Sequence, residues 1–143
     1  MTKQEVFSMM TDVGAFSIAT VDNALPRVRV CMLYRADENG IVFHTGVFKD
    51  LYRQLMADAH VELCVNDQKT GTQLRICGTM QPVDDKALKD EIVSHPSRAF
   101  LREWCESDPA FYDHFIVFRM TDGVANCWTM ATNNAPKEYL PLF

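Results

Sequence analysis

Hydrophobic residues alternate with polar ones over much of this chain, which is the period of β-strands. The alternation predicts strands over residues 15–21, 27–35, 41–45, 60–66, 72–83, 115–120 and 124–130. Asp37-Glu38-Asn39-Gly40 predicts a hairpin turn, because Asn-Gly tolerates positive φ. Further hairpins are expected at residues 67–71 and at Asp122-Gly123. Most neighbouring strands are therefore expected to be antiparallel.

A helical spacing of apolar residues interrupts this pattern in four places. The first predicted helix runs from Lys3 to Val13, with Thr2 as its N-cap, and two more occupy residues 84–95 and 97–106. The remaining predicted helix lies between the first and these two. It carries an apolar stripe of Phe48, Leu51, Tyr52, Leu55 and Met56, with Lys49, Asp50, Arg53 and Gln54 off the stripe. About seven strands with these helices favour a mainly β fold with peripheral helices (α+β), built as a closed antiparallel barrel. No linker or repeat divides residues 1–143, so we expect a single domain.

Composition narrows the class of protein. With 48% hydrophobic and 23% charged residues, the sequence is typical of a folded domain rather than a disordered chain. A net charge of −5 argues against nucleic-acid binding, which needs a broad positive surface. No apolar run approaches a membrane span and the first residues lack a signal-peptide core, so we expect a cytoplasmic protein. The five cysteines are odd in number and widely spaced, which indicates free thiols, and no histidine spacing suggests a metal site.

Basic residues gather locally in spite of the negative net charge. Arg27 and Arg29 share one face of a strand, and Thr45 and Lys49 stand where a later strand becomes a helix. Guanidinium, ammonium and hydroxyl groups beside a helix start are the donors that bind phosphate, so a phosphorylated cofactor is the leading hypothesis. Other interpretations remain open: charges that protect a strand edge for the arginines, a solvated residue for Lys49 and a capping hydroxyl for Thr45.

Four segments resemble the pyridoxamine 5′-phosphate oxidase-like family of FMN-binding split β-barrels. They cover most of the chain and read ATVD with PRVRV, VFHTGVFKDLYRQL, TQLRICGTM and FRMTDGVANCW. The resemblance implies an antiparallel split β-barrel that binds FMN. The cofactor residues it implies in the first two segments are Arg27, Val28, Arg29, His44, Thr45 and Lys49. It also implies a homodimer with the cofactor in a groove at the subunit interface, where Gln73 and Trp128 come from the partner subunit.

Two departures from the family pattern refine this expectation. Residues 133–143 lack the Arg-x-His motif of the family's oxidases, so we do not expect oxidation of pyridoxamine phosphate. His44 stands where a tyrosine is commoner. Apart from the resemblance, Gln73 also fits a surface strand residue and Trp128 a core residue.

The function that these observations favour is that of an FMN-dependent oxidoreductase. It would take electrons from a small-molecule donor, a reduced nicotinamide, and pass them through FMN to a small acceptor, with no side chain needed as acid or base. One alternative is a non-catalytic binding or sensing module that holds flavin, haem or a deazaflavin. Another is a purely structural dimer.

Overall fold

The computed structural model describes residues 1–143 and contains ten β-strands and five α-helices. The strands are β1 (Ala15–Asp22), β2 (Leu25–Met32), β3 (Arg35–Asp37), β4 (Gly40–Gly46), β5 (His60–Asp67), β6 (Thr72–Thr79), β7 (Gln81–Val83), β8 (Phe115–Met120), β9 (Val124–Trp128) and β10 (Leu140–Pro141). They form a six-stranded sheet in the order β10-β9-β6-β5-β1-β2 and a four-stranded sheet in the order β3-β4-β8-β7. Every strand pairing is antiparallel. The mainly β, split-barrel prediction is confirmed.

The helices lie outside the sheets. They are α1 (Lys3–Val13), α2 (Asp50–Ala57), α3 (Lys86–Ser94), α4 (Ala99–Ser107) and α5 (Phe111–His114), with a 3₁₀ turn at Pro96–Arg98 before α4. The α1 bounds match the prediction, and Thr2 caps the helix through a reciprocal capping box with Glu5. None of the five helices combines the length and apolar character needed to cross a bilayer.

The main core fills the space between the two sheets. The ring of Phe43 meets that of Phe16 edge-on at 5.6 Å and stacks on that of Phe118 at 5.7 Å, so aromatic contacts link the two sheets. A second apolar cluster lies between the four-stranded sheet and α3, α4 and α5, with Phe111 and Phe115 stacked at 5.0 Å. The three helices therefore form a cap over that sheet, and this cap reaches the candidate site described below.

Two predicted strands are each divided between the sheets. The segment 27–35 was expected to be continuous, but the chain leaves the six-stranded sheet after Met32. The N–H of Leu33 still bonds Gly14 at 3.0 Å, whereas that of Tyr34 bonds Val42 of the other sheet at 2.9 Å. The segment 72–83 divides in the same way at Met80, which is fully buried. A buried apolar residue at each crossing keeps the alternating pattern intact, which is why the pattern does not reveal the break.

The expected hairpin at Asp122-Gly123 is wrong. β8 belongs to the four-stranded sheet and β9 to the six-stranded sheet, so the turn joins two sheets rather than two paired strands. Asp122 accepts hydrogen bonds from the N–H and the hydroxyl of Thr79, at 2.8 and 2.7 Å. This contact, made to the end of β6, fixes the crossing.

Candidate functional site

A groove of about 630 Å³ lies where β2, the end of β4, the start of α2 and α4 meet. Four of the residues predicted to hold a cofactor line it: Arg29, His44, Thr45 and Lys49. Arg29 comes from the six-stranded sheet, and the others come from β4 and the segment after it. The two-sheet topology therefore brings together basic and polar groups that are separated in sequence.

The guanidinium of Arg29 is oriented by two buried polar side chains. Its Nη1 donates to the hydroxyl of Thr20 at 2.6 Å, and its Nη2 donates to Oε1 of Gln54 at 2.5 Å. Thr20 and Gln54 are each only 2% exposed. Because a guanidinium carries five N–H donors, Arg29 keeps donors free for a ligand while these two contacts fix its plane. Gln54 was placed off the apolar stripe of α2 and expected on the polar side, and the structure buries it instead.

Donors without protein partners lie beside Arg29. The hydroxyl of Thr45 takes part in none of the protein's side-chain hydrogen bonds, although the residue is only 7% exposed. Lys49 precedes the first residue of α2 and makes no side-chain capping bond. The backbone N–H groups of Phe48 and Leu51, which also line the groove, donate to no protein carbonyl. A hydroxyl, an ammonium and helix-start N–H groups are together suited to a phosphate, so the residues present fit the phosphate group of FMN.

The groove is electropositive. Arg29 and Lys49 both line it, and the one carboxylate among its lining residues, Asp50, is 82% exposed and pairs with Arg53 at 3.4 Å. Cys31 lies between these cations, yet burial raises the pKa of its thiol to about 11, and the opposing effect of Arg29 and Lys49 is smaller. At neutral pH Cys31 is therefore a neutral thiol and adds no negative charge to the groove.

His44 is neutral and held by an arginine. Nε of Arg98 donates to Nε2 of His44 at 3.1 Å. Burial is the main reason that the pKa of His44 falls to about 4, and the nearby cations Arg98 and Lys49 lower it further. The imidazole therefore contributes no charge to the groove at neutral pH.

Aromatic residues form the wall of the groove opposite Arg29. Phe100 and Trp104 come from α4, and the exposed ring of Phe48 meets that of Trp104 at 5.9 Å. The Phe48 ring lies directly against Gly46, where an added Cβ would stand 2.7 Å from Cζ of Phe48. Glycine leaves room for this approach, and the Phe48 ring stands at the mouth of the groove.

Arg27 and Val28 do not line this groove. Arg27 lies on the same face of β2 as Arg29, but its Nε is 3.7 Å from Asp22 and its side chain is 49% exposed. Val28 lies on the opposite face and is 71% exposed, as is Val30 at 72%. The structure thus separates the two arginines that the sequence pattern treated alike.

Gln73 and Trp128 lie on the other face of the six-stranded sheet. They are directly paired between β6 and β9, and the pairings across the sheet place them on the same face as Val28 and Val30. Within the chain, Gln73 donates to Asn66 at 3.1 Å and the Trp128 indole donates to Asn133 at 3.0 Å. One copy of the chain therefore cannot bring these residues to its own Arg29.

Comparison with known proteins agrees with this architecture. The sequence matches the family described as pyridoxamine 5′-phosphate oxidase over residues 2–127. The chain belongs to this family. A pyridoxine/pyridoxamine 5′-phosphate oxidase from Rhodopseudomonas palustris (strain TIE-1) is 32% identical over 94 residues, which are 65% of this chain and 44% of that relative. The chain spans about half the length of the curated relatives it matches.

Two solved structures show the same fold at low sequence identity. A pyridoxamine 5′-phosphate oxidase-related, FMN-binding protein from Nostoc punctiforme aligns with a TM-score of 0.68 and 14% identity, over 95% of this chain and 86% of that one. A haem-binding protein from Mycobacterium smegmatis aligns with a TM-score of 0.70 and 10% identity, over 97% of this chain and 57% of that one. Proteins described by different ligands, FMN and haem, thus share this fold.

Sequence reasoning missed several residues of the site in this family member. Gln54 was missed because a glutamine on a helix is usually exposed. Arg98 was missed because its contact with His44 spans 54 positions in the sequence. Phe100 and Trp104 stand four residues apart on α4, and this spacing was the one local sign that both face the same surface.

Proposed function

We propose that this chain is an FMN-binding oxidoreductase that passes electrons from a reduced nicotinamide to a small acceptor. The observation that carries the proposal is the set of partnerless donors at the start of α2, which lies beside the oriented guanidinium of Arg29. The Thr45 hydroxyl, the Lys49 ammonium and the N–H of Leu51 are all available to one anion. Such a set binds a phosphate monoester strongly because charged donors and helix-start N–H groups act together.

The residues of the groove have distinct tasks in this proposal. Arg29, Thr45 and Lys49 hold the phosphate, and Gln54 and Thr20 keep the guanidinium in place. Bound FMN supplies the hydride chemistry, which needs no acid or base from the protein. The wall of Phe48, Phe100 and Trp104 excludes water and offers flat apolar surface to a planar acceptor. The acceptor class that fits this wall is a small aromatic or conjugated molecule.

A homodimer completes the site. Gln73 and Trp128 lie on the opposite sheet face from Arg29, so they reach a cofactor only if a second copy packs against the groove. The same face carries the exposed apolar side chains of Val28, Val30 and Met32 on the edge strand β2. Apolar surface of this kind is typical of an interface between subunits. The proposal therefore places two equivalent grooves across one twofold interface.

A haem-binding module is the second candidate, because one solved relative of the same fold is described as haem-binding. Among the residues that line the groove, His44, Cys31 and Met32 carry side chains able to ligate haem iron, and the Met32 side chain projects from the other face of β2. Nε2 of His44 is engaged by Arg98, and the raised pKa of Cys31 keeps it a thiol. These two features favour flavin over haem.

Spectroscopic titration tests the proposal. Purified protein is mixed with FMN and, in parallel, with riboflavin, which has the same ring system and no phosphate. FMN is expected to bind far more tightly than riboflavin, and anaerobic addition of reduced nicotinamide is expected to bleach the bound flavin. Equal affinity for the two flavins would contradict the phosphate site, and tight binding without bleaching would favour a non-catalytic module. A parallel titration with haem, followed by the absorbance of the Soret band, tests whether the chain is instead a haem-binding module.

A further inference from the structure

Arg98 is a buried cation without a carboxylate partner. It ends the 3₁₀ turn before α4 and is 4% exposed. Its Nη2 donates to the carbonyl of Leu33 at 2.6 Å, and its Nη1 donates to the hydroxyl and the carbonyl of Ser97 at 2.9 and 3.4 Å. The third partner is Nε2 of His44. A guanidinium remains charged and can only donate, so each of these four atoms must act as an acceptor.

This requirement fixes the tautomer of His44. A neutral imidazole has one N–H and one acceptor nitrogen, and Nε2 must be the acceptor because it faces an Arg98 N–H. The proton therefore resides on Nδ1. His44 lines the groove, and its one side-chain hydrogen bond within the protein is the Nε2 contact with Arg98, so Nδ1 has no partner there.

We propose that Arg98 is a positioning residue that holds His44 as an Nδ1–H donor toward an oxygen acceptor of the ligand in the groove. The opposite tautomer would present a lone pair there and repel a phosphate or carbonyl oxygen. A protonated imidazole would place two N–H groups face to face at Arg98. Arg98 thus excludes both competing forms while staying outside the groove itself.

No other group around His44 favours a charged imidazole or a proton on Nε2. The charged groups that act on it are Arg98 and Lys49, both cations. Its strand partner on β8 is Val117, and the rings of Phe115 and Phe100 lie 5.3 and 6.3 Å from the imidazole. No carboxylate approaches to stabilise an imidazolium, and the apolar neighbours offer no alternative acceptor for an Nε2 proton.

The tautomer can be read directly by NMR. In protein labelled with ¹⁵N-histidine, long-range ¹H–¹⁵N spectra at neutral pH distinguish a protonated from an unprotonated ring nitrogen. The four histidines are assigned with the His44→Asn variant, in which the His44 signals disappear. We expect His44 to be protonated at Nδ1 alone, and a proton at Nε2 would overturn the proposal. This measurement uses the unmodified chain without ligand.

Variants of Arg98 test whether this residue sets the tautomer of His44. Arg98→Met keeps much of the side-chain length and removes every donor, so His44 is expected to shift toward the Nε2–H tautomer that free imidazole prefers. Arg98→Lys retains one charged donor and is expected to restore part of the Nδ1–H signal. The matched control is Arg102→Met, because Arg102 lies in α4 but donates only to exposed carbonyls of residues 94 and 95. An unchanged His44 tautomer in Arg98→Met would overturn the assignment.

The role toward the ligand rests on the proposed function and is tested separately. With FMN as the probe, Arg98→Met is expected to weaken binding roughly five- to tenfold, the effect of losing one hydrogen bond. His44→Asn, whose amide nitrogen stands close to the position of Nδ1, should retain affinity better than His44→Phe. Failure of the unmodified protein to bind FMN would count against the proposed function and leave the tautomer result intact. Equal FMN affinity of all these variants would refute the donor role.

Discussion

The side-chain oxygen of Gln54 accepts hydrogen bonds from Arg29 at 2.5 Å and from the hydroxyl of Thr20 at 2.7 Å. One buried residue of α2 therefore connects the inner face of the six-stranded sheet to the groove. Because α2 also presents its first N–H groups to the groove, the position of the helix and the orientation of the guanidinium are coupled. This coupling explains how an arginine on an edge strand is held in place without a carboxylate.

Replacing Gln54 with methionine is expected to destabilise the fold and weaken FMN binding together. Methionine fills a similar volume but leaves the Thr20 hydroxyl and an Arg29 N–H without their acceptor, which costs about 1–3 kcal/mol for buried groups. Urea unfolding and flavin titration measure the two effects. Gln68→Met, in an exposed turn, is the control and should change neither. An unchanged free energy of unfolding in Gln54→Met would show that the hydrogen bonds of Gln54 with Arg29 and Thr20 do not stabilise the fold.

The two arginines of β2 are expected to differ in their effect on flavin binding. Arg29 lies in the groove, whereas Arg27 lies beyond it beside Asp22. Arg29→Ala removes a charged donor and should weaken FMN binding roughly ten- to a hundredfold, the equivalent of a charge-assisted hydrogen bond. Arg27→Ala should have a much smaller effect. Isothermal titration measures both affinities, and equal losses would contradict the different positions of the two side chains.

Val30 offers a direct test of the homodimer. Its side chain is 72% exposed in the single chain, so Val30→Glu should leave the protomer folded. If this face is buried between two copies, the substitution places two carboxylates in an apolar interface and should dissociate the dimer. Analytical ultracentrifugation measures the assembly state. Met56→Glu, at a 52% exposed position on α2, is the control. A Val30→Glu protein that stays dimeric would place the interface elsewhere.

The lowered pKa of His44 predicts a loss of stability in acid. The pKa falls from the ordinary histidine value of 6.5 to about 4 in the folded chain, so between these values the unfolded chain binds the extra proton. The free energy of unfolding therefore falls as pH falls from about 6.5 to 4, by up to about 3 kcal/mol from this residue. Comparing unfolding at pH 7 and pH 4.5 in the parent and in His44→Asn isolates the effect. The variant should lose less stability, and equal losses would contradict burial of a neutral imidazole.

What the sequence predicted well depends on local patterns. The capping box of α1 uses residues three apart, and the hairpin turn before Gly40 uses the chemistry of Asn-Gly, so both were recognised. The sequence also grouped Thr45 and Lys49, which are close along the chain, and the structure places both in the groove. Arg98 and Gln54 were not found, since their roles depend on contacts with residues 54 and 25 positions away. The alternation of apolar and polar residues also cannot show which sheet a strand joins. Each sheet turns one face toward the common core, so strands of both sheets have the same pattern.

The side chain of Asp122 anchors the crossing from β8 to β9, so replacing it should destabilise the fold. Asp122 accepts two hydrogen bonds from Thr79, and Gly78 permits this approach: a Cβ there would stand 2.8 Å from Oδ1 of Asp122. Asp122→Ala is expected to lower the free energy of unfolding by roughly 1–2 kcal/mol. Thr79→Val removes only the hydroxyl bond and should cost less.

A double-mutant cycle of Asp122→Ala and Thr79→Val separates this anchor from general effects of substitution at the turn. The coupling energy should equal most of the cost of Thr79→Val, because the hydroxyl has no other partner than the Asp122 carboxylate. Additive effects would mean that the two side chains do not interact in solution. In that case the crossing would depend on burial of Met120 and on the backbone hydrogen bond from Leu142 N–H to the Gly123 carbonyl at 2.8 Å.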